Sequence, residues 1–140
     1  MAGFKFSLEK VLDVKEILEE QAKFTWATEE SLAREERMKL AALQEKARQT
    51  RTFGYKQTDV AMRQAMYAFL EVLEGRIEQQ KDRVRQQELV ASRAKDAWLV
   101  ARKETKKVAT LREKQYNQFV QEQLRKEQKV LDDMRSHVKN

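Results

Sequence analysis

Acid–base chemistry needs a titratable side chain and a partner. The chain offers His137, its only histidine, and adjacent carboxylates such as Glu19–Glu20 and Asp132–Asp133. Neighbouring residues on a helix point to different sides, so neither carboxylate pair can work on one substrate. His137 sits near a chain end with no partnered nucleophile and reads as a surface histidine. There is no cysteine, which removes thiolate metal sites and disulfides, and no glycine-rich loop to cradle a phosphate. The expectation is a protein with no catalytic, cofactor or metal site, and not an enzyme.

Charged residues make up 37% of the 140 residues, there is no proline, and the three glycines are Gly3, Gly54 and Gly75. Ala, Leu, Glu, Lys, Gln and Arg dominate, the composition of long helices or a coiled coil. Apolar residues at helical spacing argue against disorder. The net charge of +6 comes from 29 basic and 23 acidic side chains with interspersed signs. Such mixing reads as a solvated face rather than a nucleic-acid patch. No apolar run approaches the ~20 residues needed to cross a bilayer. Acidic residues from Glu9 to Glu20 interrupt any signal-peptide core, so a soluble intracellular protein without direct membrane insertion is expected.

The periodicity predicts two helices in a single domain, 1–140. Ser7 reads as an N-cap, with Phe6 and Val11 as a hydrophobic staple, and helix one covers about 7–50. Leu8, Val11, Val14, Leu18, Ala22, Trp26, Leu32, Ala33, Leu40, Leu43 and Ala47 form its apolar side. Gly54 within "RQTRTFGYKQTD" marks a turn at about 51–58. Helix two covers about 59–136, and Leu70, Leu73, Ile77, Val84, Ala91, Ala94, Trp98, Ala101 and Val108 keep close to a seven-residue repeat. Gly75 within it is read as a close approach of backbones opposite Ala33.

Folding back at Gly54 and Tyr55 makes facing residue numbers sum to about 109 or 110 in an antiparallel coiled coil. Leu40 then faces Leu70, Ala33 faces Ile77, Trp26 faces Val84, Leu18 faces Ala91, Val11 faces Trp98 and Leu8 faces Ala101. Every pair is apolar. Helix one runs out opposite residue ~105 and leaves about 30 residues of helix two, some 45 Å, without a partner. Tyr116, Phe119, Val120, Leu124, Val130, Leu131, Met134 and Val138 share one side of that overhang, which therefore needs another surface. A protein groove suits it better than a membrane or nucleic acid.

"FKFSLEKVLDVKE", "YAFLEVLEGRIEQQ", "KDAWLVARKETKKVATLREK" and "EQKVLDDM" occur in that order and resemble the FliJ family of the flagellar type III export apparatus. The resemblance implies a cytoplasmic, non-enzymatic coiled-coil stalk at the inner membrane. Its implied partners are the hexameric export ATPase ring, the cytoplasmic domain of the export gate and, in some members, export chaperones. Carried onto this chain, Phe69, Leu73, Arg76 and Gln80 become the gate segment along one flank. The ring segment becomes Phe4, Phe6, Ser7, Leu8, Phe119, Leu124, Glu127, Gln128, Lys129, Leu131, Asp132, Asp133 and Met134, with Ile17 and Phe24 as outlying contacts. Phe4 has no expected partner within the hairpin. A generic scaffold or dimerising adaptor, and a basic nucleic-acid binder, are the alternatives.

Overall fold

A computed structural model of the chain describes residues 3–139. Two helices, α1 (Glu9–Lys56) and α2 (Val60–Lys139), account for the fold, with no strand among the described residues. They pack as the expected all-α hairpin with a longer second helix. The chain divides into two compact units, one spanning Ala22–Trp98 and the other running up to Gln21 and from Leu99 onward.

In the Ala22–Trp98 unit the turn lies at 57–59, later than expected, and α1 continues through Gly54. The Gln57 N–H donates to the Gly54 carbonyl at 3.2 Å and closes the last turn of α1. Asp59 then caps α2, its Oδ1 accepting from the Ala61 N–H at 3.0 Å. No described residue takes a positive φ, so the turn makes no use of glycine's freedom. Gly54 is therefore a helix residue, and a Cβ there would stand 3.7 Å from the Met66 Cβ, an ordinary contact. Gly75 faces open space, with nothing within 4 Å of a built Cβ. The expected close backbone approach at Gly75 is not present.

Moving the turn moves the pairing. The Gln80 amide donates to the Glu36 carbonyl at 3.0 Å and to its carboxylate. One heptad along, the Gln87 amide does the same to Glu29, at 3.2 Å and 2.6 Å. Both pairs sum to 116 rather than the expected 109 or 110, a slip of about one heptad. Trp26 stacks on Trp98, with centroids 5.1 Å apart, instead of facing Val84. Leu40 and Leu43 pack on a cluster of Ala47, Leu70, Leu73 and Ile77. Ala33, Val84 and Ala91 are buried as expected.

In the other unit, Leu8, Val11 and Leu18 were expected in the core but are 37%, 40% and 48% exposed. Leu12 is buried, and Lys15 and Glu19 are half-buried in its heptad series. The physical reason is that this seam accepts polar residues, so a reading that follows only apolar ones drifts off it. Thr105, opposite Lys15, shares its hydroxyl proton between the Lys15 and Ala101 carbonyls at 3.1 Å and 3.0 Å. Ala101 is half-buried beside it. The start of α1 also differs: Leu8 supplies the first helical acceptor, to the Leu12 N–H at 2.9 Å. The Ser7 hydroxyl has no hydrogen bond among the described residues, so it is not the cap.

Two expectations follow. Because neither helical glycine is required by packing, Gly54→Ala and Gly75→Ala should each stabilise the hairpin by about 0.5–1 kcal/mol. Chemical denaturation followed by circular dichroism measures this, and a loss of stability would contradict it. The second concerns acid. The Gln80 amide holds the Glu36 carboxyl below its ordinary value, against an opposing effect of burial, with Lys39 and Arg83 adding to the lowering. A depressed folded-state pKa gives stability that is complete above the unfolded value and lost as pH falls through the folded one. Thermal midpoints measured downward from pH 5 should therefore fall less steeply for Glu36→Gln than for the parent below about pH 4.3. Parallel curves would refute the assignment.

Candidate functional site

The unit formed by both chain ends carries the ring-contact candidates, and its geometry starts from residues before α1. Phe6 is buried at 7% exposure. Phe4 packs edge-on against Tyr116, with centroids 5.4 Å apart, and tilted against Phe119 at 5.6 Å. The Arg112 guanidinium lies over the Phe4 ring at 5.7 Å, while its Nε donates to the Glu9 carboxylate at 2.8 Å. Phe4 thus has the partners that the sequence reading did not find. The N-terminal segment covers α2 as far as Phe119, so the overhang starts well beyond the expected residue ~105.

Past Gln123, every residue of α2 through Val138 is exposed, a stretch of about 22 Å at 1.5 Å per residue. Leu124, Val130, Leu131, Met134 and Val138 are 59%, 55%, 51%, 60% and 87% exposed. Shallow apolar grooves run between them, one lined by Lys126, Val130, Leu131 and Met134 and the next by Leu131, Met134 and Val138. Among the polar candidates, Glu127, Lys129 and Asp133 are exposed, and Gln128 donates to the Asp132 carboxylate at 3.2 Å. Ser7 and Leu8 are exposed at the other end of the segment.

The Ala22–Trp98 unit carries the gate candidates, and it splits them. Leu73 is 0% and Gln80 5% exposed, both committed to the seam. Phe69 and Arg76 face outward, with the Lys46 ammonium 5.4 Å from the Phe69 centroid. The cause is the heptad: 69 and 76 share one position and 73 and 80 another, so the four do not form a single exposed flank. Outlying Phe24 is 75% exposed in this unit, and Ile17 is 58% exposed in the other. The sequence reading also passed over Phe53, Tyr55 and Tyr67, which are 49%, 76% and 55% exposed close to the turn. The aromatic cluster "TFGY" was the available signal.

No group of His, Cys, Asp or Glu among the described residues is arranged to hold a metal ion. No helix is long and apolar enough to cross a membrane.

Substituting Phe4→Ala removes two aromatic contacts and the ring under Arg112, and should cost about 1–2 kcal/mol. Faster amide exchange at Glu9, whose N–H donates to the Phe6 carbonyl, would accompany a lower thermal midpoint. An unchanged midpoint would show that the Phe4 contacts carry no stability.

The sequence profile of the family described as flagellar FliJ protein matches residues 4–139, and the chain belongs to that family. No curated protein matches it in sequence. Its fold is similar to the solved structure of the YscO homolog CT670 from Chlamydia trachomatis, with a TM-score of 0.56 and 21% identity over 94% of this chain and 93% of that one.

Proposed function

We propose that this member of the FliJ family, and so a component of a type III protein export apparatus, is a non-enzymatic stalk that binds the hexameric export ATPase ring and links it to the export gate. The observation that carries the proposal is the run from Leu124 to Val138, where α2 holds five apolar side chains at 51% exposure or more. Exposed apolar side chains at 3–4 residue spacing on one helix are anchors for a groove in a partner. Phe4 supports the ring surface from behind by fixing the segment that precedes α1 onto Tyr116 and Phe119. Phe69 and Arg76 remain the accessible candidates for the gate contact. Escort of export chaperones and peripheral placement at the cytoplasmic face of the inner membrane belong to the same proposal.

Co-purification with the export ATPase, scored together with ATP turnover, tests this reading. Leu131→Asp with Met134→Asp should lower binding at least tenfold and abolish any change in turnover. Helix content should be preserved, because both side chains are already exposed. Absence of binding by the parent chain would sink the proposal. A concentration-dependent dimer abolished by the same pair of substitutions would favour the adaptor alternative.

A further inference from the structure

The turn end of the Ala22–Trp98 unit combines charge and exposed apolar surface in a way the stalk reading does not use. Between residues 46 and 70 there are five basic side chains, Lys46, Arg48, Arg51, Lys56 and Arg63, and a single acid, Asp59, a net +4 of the chain's +6. Asp59 is occupied as the cap of α2. Arg48 and Arg51 pair with Glu45 and Glu74, exposed contacts of the kind that contribute little and exchange readily. Lys56 and Arg63 have no acidic partner among the described residues. The flanking acids Glu45 and Glu71 lie about 16 Å back along their helices from the turn.

The apolar side chains here are arranged around the end rather than along one stripe. Phe53, Tyr55, Val60 and Met62 are 49%, 76%, 67% and 43% exposed. Phe53 and Tyr55 are two residues apart and so about 200° apart around α1, and Val60 and Met62 stand in the same relation around α2. A groove of about 430 Å³ beside the turn is lined by Arg51, Tyr55, Arg63 and Tyr67 together with the acids Glu71 and Glu74. A peptide filling it would leave Phe53, Val60 and Met62 in water. A planar interface that the end enters would cover all of them at once.

We infer that the turn end docks on an anionic lipid bilayer surface, with Lys56 and Arg63 against phosphates and Phe53, Tyr55, Val60 and Met62 at headgroup depth. The four apolar residues lie within about 6 Å of the turn along their helices, inside the 5–10 Å depth that interfacial segments occupy. Each basic side chain near such a surface strengthens binding several-fold. The contact needs no crossing of the membrane. It is also independent of the ATPase: the test below contains none, so failure here leaves the ring proposal standing, and the reverse holds.

The experiment is flotation of the full chain with vesicles of phosphatidylcholine alone or with about a third phosphatidylglycerol. Binding is expected with the anionic vesicles at low salt, absent with neutral ones and released by high salt. Lys56→Glu with Arg63→Glu should reduce it about tenfold or more. Phe53→Ser with Tyr55→Ser should weaken it at unchanged helix content. A distant control, Lys103→Glu with Lys106→Glu at exposed positions of α2, should leave most of the binding. The inference is overturned if the parent does not float with anionic vesicles, or if the distant control loses as much as the turn-end pair. Capture of poly-glutamate without vesicle binding, lost in the turn-end charge variant, would overturn it in favour of an acidic protein partner.

Discussion

Two glutamine amides decide which residues of the hairpin face each other. An apolar seam cannot do this alone, because apolar residues seven apart return onto one another when the helices slide by a heptad. In the Ala22–Trp98 unit Ala33, Leu40 and Ala47 are seven apart on α1, as are Leu70, Ile77, Val84 and Ala91 on α2. A slide of one heptad keeps that set apolar throughout. It does not keep the polar set. Glu36 would then stand against Leu73, and Gln87 against Ala22, so one of the two clamps would be lost. Stranding a fully buried amide costs about 1–3 kcal/mol, and even the smaller penalty for half-buried Gln87 separates two registers whose apolar pairing is equally good. The clamps at Glu36–Gln80 and Glu29–Gln87 agree with a turn centred on Thr58.

This polar seam comes with a thin core. Among the described residues only Leu73 is a large side chain with essentially no exposure, and Ala33, Ala47 and Ala91 hold other buried places. The many ion pairs do not make up the difference. Arg37 bridges Glu30 and Glu88 at 3.1 Å each, but all three side chains are more than 40% exposed. Pairs of that kind are screened and weak, even though the two carboxylates raise the Arg37 pKa. Helix propensity carries much of the remaining load. From Leu124 to Val138 of α2, where no side chain is even half-buried, propensity acts without tertiary packing, which leaves that stretch the readiest to fray.

The sequence made the helices and the fold class legible, because composition and a seven-residue repeat are properties of single strands. Register was not, since it depends on where the chain turns. Gly54 drew the turn toward itself, while the actual turn uses Gln57, Thr58 and the Asp59 cap with no positive φ. The same error placed Val11 opposite Trp98 and left Phe4 without a partner. Reading polar residues as seam members would have corrected it. Lys15, Glu19, Glu29 and Glu36 fall in the same three–four alternation as Leu12, Ala22, Ala33 and Leu40. Of the candidate contacts, those on the overhang kept their exposure, because a single helix with no neighbour is described by its own wheel. The gate segment did not, because half of it is claimed by another helix.

That distinction bears on how the two ends of the chain can act together. In the unit they form, the covered face of α2 follows Thr105, Val108, Arg112, Gln115 and Phe119, spaced three and four apart. The exposed stripe that follows takes other positions of the repeat: Val120 and Met134 stand one residue after the first covered position, and Leu124, Leu131 and Val138 two residues after the second. At about 100° per residue the stripe is centred roughly 150° from the face on which the N-terminal segment lies, so it is not a continuation of it. A groove that takes up the stripe therefore approaches α2 from another side and need not displace Phe4 from Tyr116 and Phe119. Closure of the hairpin and engagement of a partner do not compete for surface. Under the proposed function Phe4 and Arg112 would position α2, and the partner would meet the residues that begin where the repeat changes phase.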